Sequence, residues 1–494
     1  MRVAPFGRQR TTAGAHQSKP YSIFIVALIF LIPLLEPPAA GAISISQTRP
    51  HIPSAISISA TPRLIGSYVQ EQDVSTLCSQ EQTYGARFTW IAIPWYAIEP
   101  NQGRFVWTAV DPIVQAARAC GMEIGAHVLS RSTWATLPPS APAPSGALIS
   151  MPPKNWNDYY NFVYQLASHY KGSISRYSIE NEAHSSTNWP SSPNSYFQML
   201  ASGFRAVHDA DPSALVEDAG LSSSTLGALV ANDLLQSGNA QGAVQFWQGY
   251  FADYHGPFGG TVNNVSDLQA LLSQPELQRS IQWASLLYAN SQYFDVQQIH
   301  YFAPWDKLSQ ITDWVHNQLR SHGGDKPLDF WELGYGWDNM STYDPQAHAR
   351  DEVKIFATAL GEGGISAIQF EFTDYAVSIG HPGLITSAGP QPPAQSFQLV
   401  AQKLNGAVNP QRLNLGSSAY GYRFDTAHGT VYVVWADVTT SISLPLSTRN
   451  ARVTDITETQ TLADPKRIAV TTSPIVVEPW TGSNLLYLPI VQAR

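Results

Sequence analysis

The sequence has few charged side chains: Asp, Glu, Lys and Arg make up 13% of its 494 residues, where globular proteins average about 25%. The polar part of the surface must therefore consist of uncharged side chains such as Ser, Thr, Gln and Asn. The formal net charge is −9, whereas a nucleic-acid-binding protein normally has a basic patch. The composition thus argues against nucleic acid as a partner.

Cysteine is also scarce, with Cys78 and Cys120 as the two in the chain. No group of cysteines and histidines has the spacing of a zinc site, and no glycine-rich phosphate loop follows a predicted strand. We therefore expect no metal and no cofactor. Each cysteine lies near the end of a predicted helix, and the two helices are neighbours. The pair forms either a disulfide or two buried thiols.

At its N-terminus the chain has the pattern of an export signal. Basic residues precede an apolar stretch at 21–35, and Ala40-Gly41-Ala42 supplies small residues for cleavage. We predict a signal peptide at 1–42 and a linker at 43–62, and therefore a secreted or cell-surface protein. The apolar stretch is shorter than the ~20 residues of a membrane span, so membrane attachment is expected only if this segment stays uncleaved.

Short apolar, β-prone runs alternate with longer helical stretches between residues 63 and 395. Alternating strands and helices indicate an α/β fold with a parallel sheet, and eight such units indicate a closed (β/α)8 TIM barrel. Long loops at 130–153 and 220–290 would lie over the C-terminal mouth of this barrel. The eight runs are 64–69, 86–93, 123–129, 175–179, 215–218, 296–302, 328–333 and 367–372.

Residues 396–494 have a different pattern, in which short alternating strands such as 421–424 and 430–436 are separated by turn residues. This pattern predicts a small C-terminal antiparallel β-sandwich domain. The apolar stretch at 485–491 is either a last strand or a sorting tail.

Two glutamates end strands of the predicted barrel. Glu182 follows the fourth run, in RYSIENEAH (176–184), and Glu332 ends the seventh, in KPLDFWELGY (326–335). Because the C-terminal ends of all barrel strands meet at one mouth, both carboxylates would project into one cavity. Two carboxylates that flank a glycosidic bond supply the proton and the anion, or activated water, that its hydrolysis requires.

These motifs resemble clan A of the glycoside hydrolases, in which an Asn-Glu pair closes strand four and a Glu closes strand seven. The sequence around the second strand is similar to that of families five, thirty-nine and forty-two. The C-terminal domain resembles the accessory domain of family thirty-nine and its relatives. The matching segments are 85–90 (GARFTW), Trp95, 98–100 (IEP), 103–107 (GRFVW), Trp134-Ala135 and 162–171.

The resemblance implies a role for each matching residue. Glu182 would be the general acid/base, with a raised pKa. Glu332 would be the nucleophile, with the two carboxyl groups ~5–5.5 Å apart. Asn181 would bind the 2-hydroxyl of the sugar, Tyr301 would steady the nucleophile, and His300 would shape the same wall.

Further candidate substrate contacts each have packing or loop capping as the alternative. They are His127, Trp134, His184 and Trp331.

The chain also departs from the pattern of the clan. Trp90 stands where many relatives have an arginine on strand two, and Ala183 stands where a proline is common. Strand eight usually ends in tryptophan, but here the sequence reads Phe370-Glu371-Phe372.

The sequence therefore predicts a secreted retaining glycoside hydrolase that cleaves β-glycosidic bonds of oligo- or polysaccharides by double displacement. Two alternatives stay open. One is a catalytically inactive barrel that binds carbohydrate at the cell surface, and the other is a transglycosylase that forms the same intermediate. The expected partner is an oligo- or polysaccharide.

Overall fold

The computed structural model describes residues 57–68, 78, 82–139, 148–252, 254, 260–336, 343–373 and 383–482. The predicted signal peptide, most of the predicted linker and the apolar stretch at 485–491 lie outside these residues. Among the described helices, none is long and apolar enough to span a membrane.

A curled parallel sheet forms the centre of the protein. Its strand order is β5-β4-β3-β2-β1-β9-β8-β7-β6. β5 and β6 follow each other along the same barrel position, so the nine strands fill eight positions. The strands are β1 (Leu64–Ser67), β2 (Phe88–Pro94), β3 (Glu123–Leu129), β4 (Arg176–Ile179), β5 (Leu215–Glu217), β6 (Leu221–Ser222), β7 (Gln297–Tyr301), β8 (Leu328–Leu333) and β9 (Gly364–Gln369).

The sheet closes on itself at two places. β1 pairs in parallel with β9, from Leu64 opposite Ser366 onward. At the fifth position Glu217 forms a parallel bridge with Val296, and the carbonyl oxygen of Val216 accepts from the backbone N–H of Asp295 at 2.7 Å. The predicted (β/α)8 barrel is therefore confirmed.

Helices surround the barrel, and their starts follow from sequence. Several begin with proline in the first turn, where its missing N–H costs nothing, and side chains such as Asn155 and Asn239 cap others. The helices are α1 (Trp95–Ile98), α2 (Asp111–Ala119), α3 (Trp156–His169), α4 (Pro193–Ala210), α5 (Ser223–Gln236), α6 (Ala240–Tyr250), α7 (Val265–Leu272), α8 (Pro275–Ala289), α9 (Trp305–Ser321), α10 (Pro345–Gly361) and α11 (Pro392–Leu404).

The barrel interior has two layers of different chemistry. Arg176 on β4 forms a buried ion pair with Asp329 on β8 and also donates to Ser366 on β9. Nearer the mouth, Phe88, Trp90, Trp331 and Ile368 form an apolar cluster inside the barrel. The main core lies outside the barrel, between the strands and the helices.

The C-terminal part consists of antiparallel sheets packed beside the barrel. Its larger sheet has the order β12-β13-β14-β19-β16-β17, and β15 pairs with β18 in a second sheet. The predicted boundary after residue 395 falls inside α11, which is the last helix of the barrel. The strands are β12 (Val408–Arg412), β13 (Ala419–Thr426), β14 (Gly429–Ala436), β15 (Thr440–Ile442), β16 (Asn450–Asp455), β17 (Gln460–Ala463), β18 (Ile468–Val470) and β19 (Ile475–Trp480). The short strands β10 (Ile385–Thr386) and β11 (Gly389–Pro390) form a separate hairpin before α11.

The two cysteines are joined. Cys78 and Cys120 form a disulfide with their Cα atoms 5.5 Å apart, which decides between the two possibilities that the sequence left open.

Glycine at position 125 of β3 is required by the packing of the barrel interior. A Cβ atom at this position would lie 2.5 Å from Cη2 of Trp331. We expect Gly125→Ala to destabilise the protein by about 1–3 kcal/mol through overpacking, measured by thermal or urea unfolding. Gly249→Ala is the control, because its Cβ would meet no atom closer than 3.8 Å. Equal stability of both variants would contradict this packing.

Candidate active site

Glu182 is aimed into the barrel mouth by an unusual backbone. β4 ends at Ile179, and the chain then turns sharply, with positive φ of 70° at Glu180 and 42° at Glu182. Non-glycine residues rarely adopt this conformation, and it concentrates at functional sites. The backbone N–H of Glu182 donates to Ala219 O at 2.6 Å. Glu180, in contrast, accepts from the backbone N–H of Ser130 at 2.6 Å, so it ties the β3 loop to β4.

Glu332 reaches the mouth through an irregularity in β8. The pairing of β8 with β9 shifts register between Phe330 and Leu333. In a regular strand, neighbouring side chains point to opposite faces, but a shift of this kind re-aims them. Trp331 is consequently inside the barrel, and Glu332 is also turned towards the mouth, where it faces His300 on β7.

His300 lies between the two carboxylates. Its Nδ1 is 3.0 Å from Oε1 of Glu182 and 3.7 Å from Oε2 of Glu332. Its Nε2 is 2.9 Å from Oε1 of Gln298, an oxygen that can only accept, so Nε2 carries a hydrogen. The amide of Gln298 is itself oriented, because its Nε2 donates to Glu217 at 3.2 Å. His300 therefore directs Nδ1 at the glutamate pair.

The two glutamates share one proton over a wide pH range. Burial opposes ionisation of Glu182, but the hydrogen bond and the charge of His300 outweigh it and lower the pKa of this carboxyl to about 2. Burial and the charges of Glu182 and Glu371 together raise the pKa of Glu332 to about 7, against the opposing charge of His300. Between these values the pair holds one proton. The prediction of a raised pKa for Glu182 is therefore wrong for the free protein, because His300 bonds to Glu182.

Asn181 and His127 border this pair. Oδ1 of Asn181 is buried and has no hydrogen-bond partner among the described residues. His127 is buried below the mouth, where burial lowers its pKa to about 3. Its Nδ1 faces Glu180 O at 3.2 Å, and its Nε2 has no partner within the described part of the chain. Among the described residues, both side chains therefore have one buried polar atom that remains unsatisfied.

Tyr301 and Trp331 are both fully buried. The hydroxyl of Tyr301 donates to Pro304 O at 2.9 Å, and its ring packs in the core outside the barrel. His300, its neighbour on the strand, faces Glu332 at 3.7 Å, and the role of Tyr301 beside the nucleophile stays a prediction. Trp331 packs inside the barrel, which is the packing alternative that the sequence left open.

Trp134 and His184 are held by contacts with neighbouring loops. Nε1 of Trp134 donates to Glu99 O at 2.8 Å, and its partly exposed ring packs on Trp95. The ring nitrogens of His184 face Gly220 O at 3.3 Å and Ser222 Oγ at 3.1 Å. Both residues therefore brace loops around the mouth, and their assignment as substrate contacts stays a prediction.

An aromatic wall replaces the arginine that many clan relatives have on strand two. Trp90 donates from Nε1 to Trp331 O at 2.9 Å. Tyr68 stacks on Trp90 with ring centroids 4.2 Å apart and on Phe370 at 5.0 Å. The backbone beside Glu332 is thus supported by an uncharged donor, and His300 is the cation that faces its carboxylate.

Sequence reasoning missed two residues of this site. Gln298 sets the tautomer of His300. The sequence could have indicated this contact, because the two residues are two positions apart on one strand and therefore lie on the same face. Glu371 follows β9 and is 8% exposed. Its charge raises the pKa of Glu332. Because Glu371 lies beyond the end of the strand, strand alternation does not predict which way its side chain points.

The same three groups could hold a cation. Ligand atoms of Glu182, His300 and Glu332 lie within 4.8 Å of one another, and carboxylate and imidazole are groups that bind divalent metals. The reaction proposed below uses all three residues without a metal.

Comparisons with known proteins agree with this geometry. The sequence profile of glycosyl hydrolase family 10 matches residues 57–216, a segment that runs from β1 into β5 and contains Asn181 and Glu182. The chain is a glycoside hydrolase of clan A. The match covers about a third of the chain, so the assignment is made to the clan. No curated protein sequence matches the chain significantly.

Solved structures of glycoside hydrolases are similar to the whole fold of this clan A hydrolase. A family 39 enzyme from Bacteroides cellulosilyticus WH2 has a TM-score of 0.55 and 14% identity, and the alignment covers 85% of this chain and 82% of that one. A glucosidase from Croceicoccus marinus has a TM-score of 0.53 and 12% identity, and the alignment covers 86% of this chain and 97% of that one. A monomeric β-xylosidase from Caulobacter crescentus CB15 has a TM-score of 0.52 and 11% identity, with 85% of this chain and 98% of that one covered. At these identities the similarity concerns the fold.

Membership of the clan means that the protein acts on β-glycosides. The predicted clan, barrel fold and enzyme class are confirmed.

The shared proton predicts the pH dependence of activity. A retaining reaction needs one proton on the pair, so kcat/KM should fall as pH rises through about 7, where Glu332 loses its proton. Because the charge of Glu371 raises that pKa, Glu371→Gln should move the basic limb to lower pH by roughly one unit. A pH profile with an aryl β-glycoside measures the shift. Glu458→Gln, on the exposed surface of the C-terminal part, should not move it, and an unmoved limb in Glu371→Gln would contradict the assignment.

Proposed function

We propose that the protein hydrolyses β-linked oligo- or polysaccharides by double displacement, with Glu182 as the acid/base and Glu332 as the nucleophile. The observation that carries this proposal is the separation of the two carboxylates, whose facing atoms lie within 4.8 Å of each other. Retaining enzymes place these groups about 5–5.5 Å apart, whereas inverting enzymes leave about 6.5–9.5 Å for a water molecule.

The first step requires the proton on Glu182. Glu332 attacks the anomeric carbon from one face while Glu182 protonates the leaving oxygen, and a covalent glycosyl-enzyme forms. The pair holds one proton, and in this step that proton is on Glu182 while Glu332 is ionised. His300, whose Nδ1 is 3.0 Å from Glu182 and 3.7 Å from Glu332, favours the ionised nucleophile through its charge.

The second step regenerates the enzyme. Glu182, now ionised, removes a proton from water, which attacks the same face of the anomeric carbon from which the leaving group departed. Asn181 supports the transition state, because a hydrogen bond to the 2-hydroxyl strengthens as the reaction proceeds. The Tyr68, Trp90 and Phe370 wall offers apolar faces that suit a sugar ring.

Azide trapping tests the assignment of the two roles. We expect Glu332→Ala to lose at least about 10⁴-fold of kcat/KM, and azide to restore turnover to an α-glycosyl azide, since azide takes the place of the nucleophile. Glu182→Ala should lose about 10²–10⁴-fold on poor leaving groups and give a β-glycosyl azide, since azide then attacks the glycosyl-enzyme. NMR of the products distinguishes the two anomers.

The opposite pattern of anomers would show that the roles of the two glutamates are exchanged. If the wild-type protein turns over none of a panel of aryl xylosides, glucosides, galactosides, mannosides and arabinosides, the proposal fails. Glycosyl transfer to added acceptor sugars in preference to water would identify a transglycosylase.

We also propose that the enzyme is exported. The support is the basic N-terminus, the apolar stretch at 21–35 and the small residues Ala40 to Ala42. The mature protein in the medium should begin at Ile43, as measured by N-terminal sequencing and intact mass. Replacing Ala40 and Ala42 by arginine should block cleavage and retain the full-length chain. A full-length wild-type protein in the cytoplasm would contradict export.

A further inference from the structure

A helical insertion lies between β6 and β7, where four helices stand in place of one. A simple (β/α)8 unit has one helix after each strand, but here α5, α6, α7 and α8 follow β6 in succession. The last of these, α8 (Pro275–Ala289), contacts the loop at 183–192 that directly follows Glu182. The insertion therefore reaches the element that carries the proposed acid/base.

Arg279 on α8 makes this contact. Its Nε donates to His184 O at 3.0 Å, its Nη2 to Trp189 O at 2.6 Å and its Nη1 to Ser191 O at 3.2 Å. One planar guanidinium thus satisfies three backbone carbonyls of an irregular loop. The rigid, forked arrangement of its donors fixes the relative positions of these carbonyls.

Apart from Arg279, the loop is held by the side chain of His184, whose ring nitrogens face Gly220 O and Ser222 Oγ, and by its own turns. It is a series of turns in which Ser185 N–H donates to Glu182 O at 3.0 Å and Trp189 N–H donates to Ser185 O at 2.9 Å. Along the chain, the first loop carbonyl that accepts from Arg279 is that of His184, which lies two residues after Glu182. A shift of this loop would therefore be transmitted through Ala183 to a residue already in a strained backbone conformation.

The position of Arg279 is itself well defined. Residues three and four apart share one face of a helix, and on α8 that face carries Glu276, Arg279 and Trp283. Glu276 accepts from Ser186 Oγ at 2.5 Å. Trp283 is buried against Tyr196, with ring centroids 4.6 Å apart. This face is therefore anchored to the barrel on one side and to the loop on the other.

We propose that Arg279 is a positioning residue that holds Glu182 in reach of the leaving-group oxygen, so that the helical insertion controls acid catalysis. This inference rests on the proposed role of Glu182. Proton transfer requires the acid at hydrogen-bond distance from the oxygen it protonates, and a displacement of about 1 Å at a reacting group can cost about 10²-fold. A residue that only stabilises the fold would not affect one chemical step selectively.

Leaving-group dependence distinguishes these roles. The kcat/KM for aryl β-glycosides reports the first step, in which a 2,4-dinitrophenolate leaves without protonation and a phenolate needs the acid. For Arg279→Gln we expect a loss at least about 10-fold larger with the phenyl glycoside than with the dinitrophenyl glycoside. Arg279→Lys, which keeps the charge but not the fork, should give an intermediate ratio.

Arg320→Gln is the matched control, since Arg320 also donates to a backbone carbonyl, His316 O at 3.2 Å, but on α9. Arg320→Gln should change kcat/KM for the phenyl and the dinitrophenyl glycoside by the same factor. Equal losses in Arg279→Gln and Arg279→Lys on both substrates, with or without a lower Tm, would overturn the inference. If Arg279→Gln does not fold, the ratio for Arg279→Lys decides. Glu182→Ala serves as the reference: if it shows no leaving-group dependence, the proposed function fails, whereas dependence in Glu182→Ala alone refutes the role of Arg279.

Discussion

The imidazole of His300 between two carboxylates is the interaction on which the site depends. Glu182 and Glu332 repel each other strongly at this separation when both are ionised, which favours one proton on the pair. His300 contacts both at 3.0 and 3.7 Å, and Gln298 fixes its tautomer. The pair therefore keeps one proton, which is the charge state that a retaining reaction requires.

The replacement of a strand-two arginine by Trp90 makes His300 more important. An arginine is always charged and would hold a carboxylate ionised, whereas the indole of Trp90 donates to a backbone oxygen of β8. The burial of Glu332 is then balanced by a group that can itself gain and lose a proton. The pKa of Glu332 is raised because burial and the neighbouring carboxylates outweigh the charge of His300.

The barrel supplies the rigidity that this arrangement needs. Arg176 and Asp329 form a buried ion pair that ties β4, which precedes Glu182, to β8, which carries Glu332. The apolar cluster above this pair fills the interior. Loops at the mouth are tied down individually: Trp134 bonds to Glu99 O. Catalytic groups are thus fixed both from below, through the strands, and from the side, through loop contacts.

The amino-acid sequence alone determined the eight strand positions, the order of the elements and the two glutamates, because these depend on local periodicity and on the rule that barrel strands end at one mouth. The tertiary structure decided which neighbouring side chain faces that mouth. His300 rather than Tyr301 does so, and the register shift in β8 places Trp331 inside. It also brought Arg279 to His184, 95 residues away in sequence. Such contacts depend on how separate elements pack, which no local pattern records.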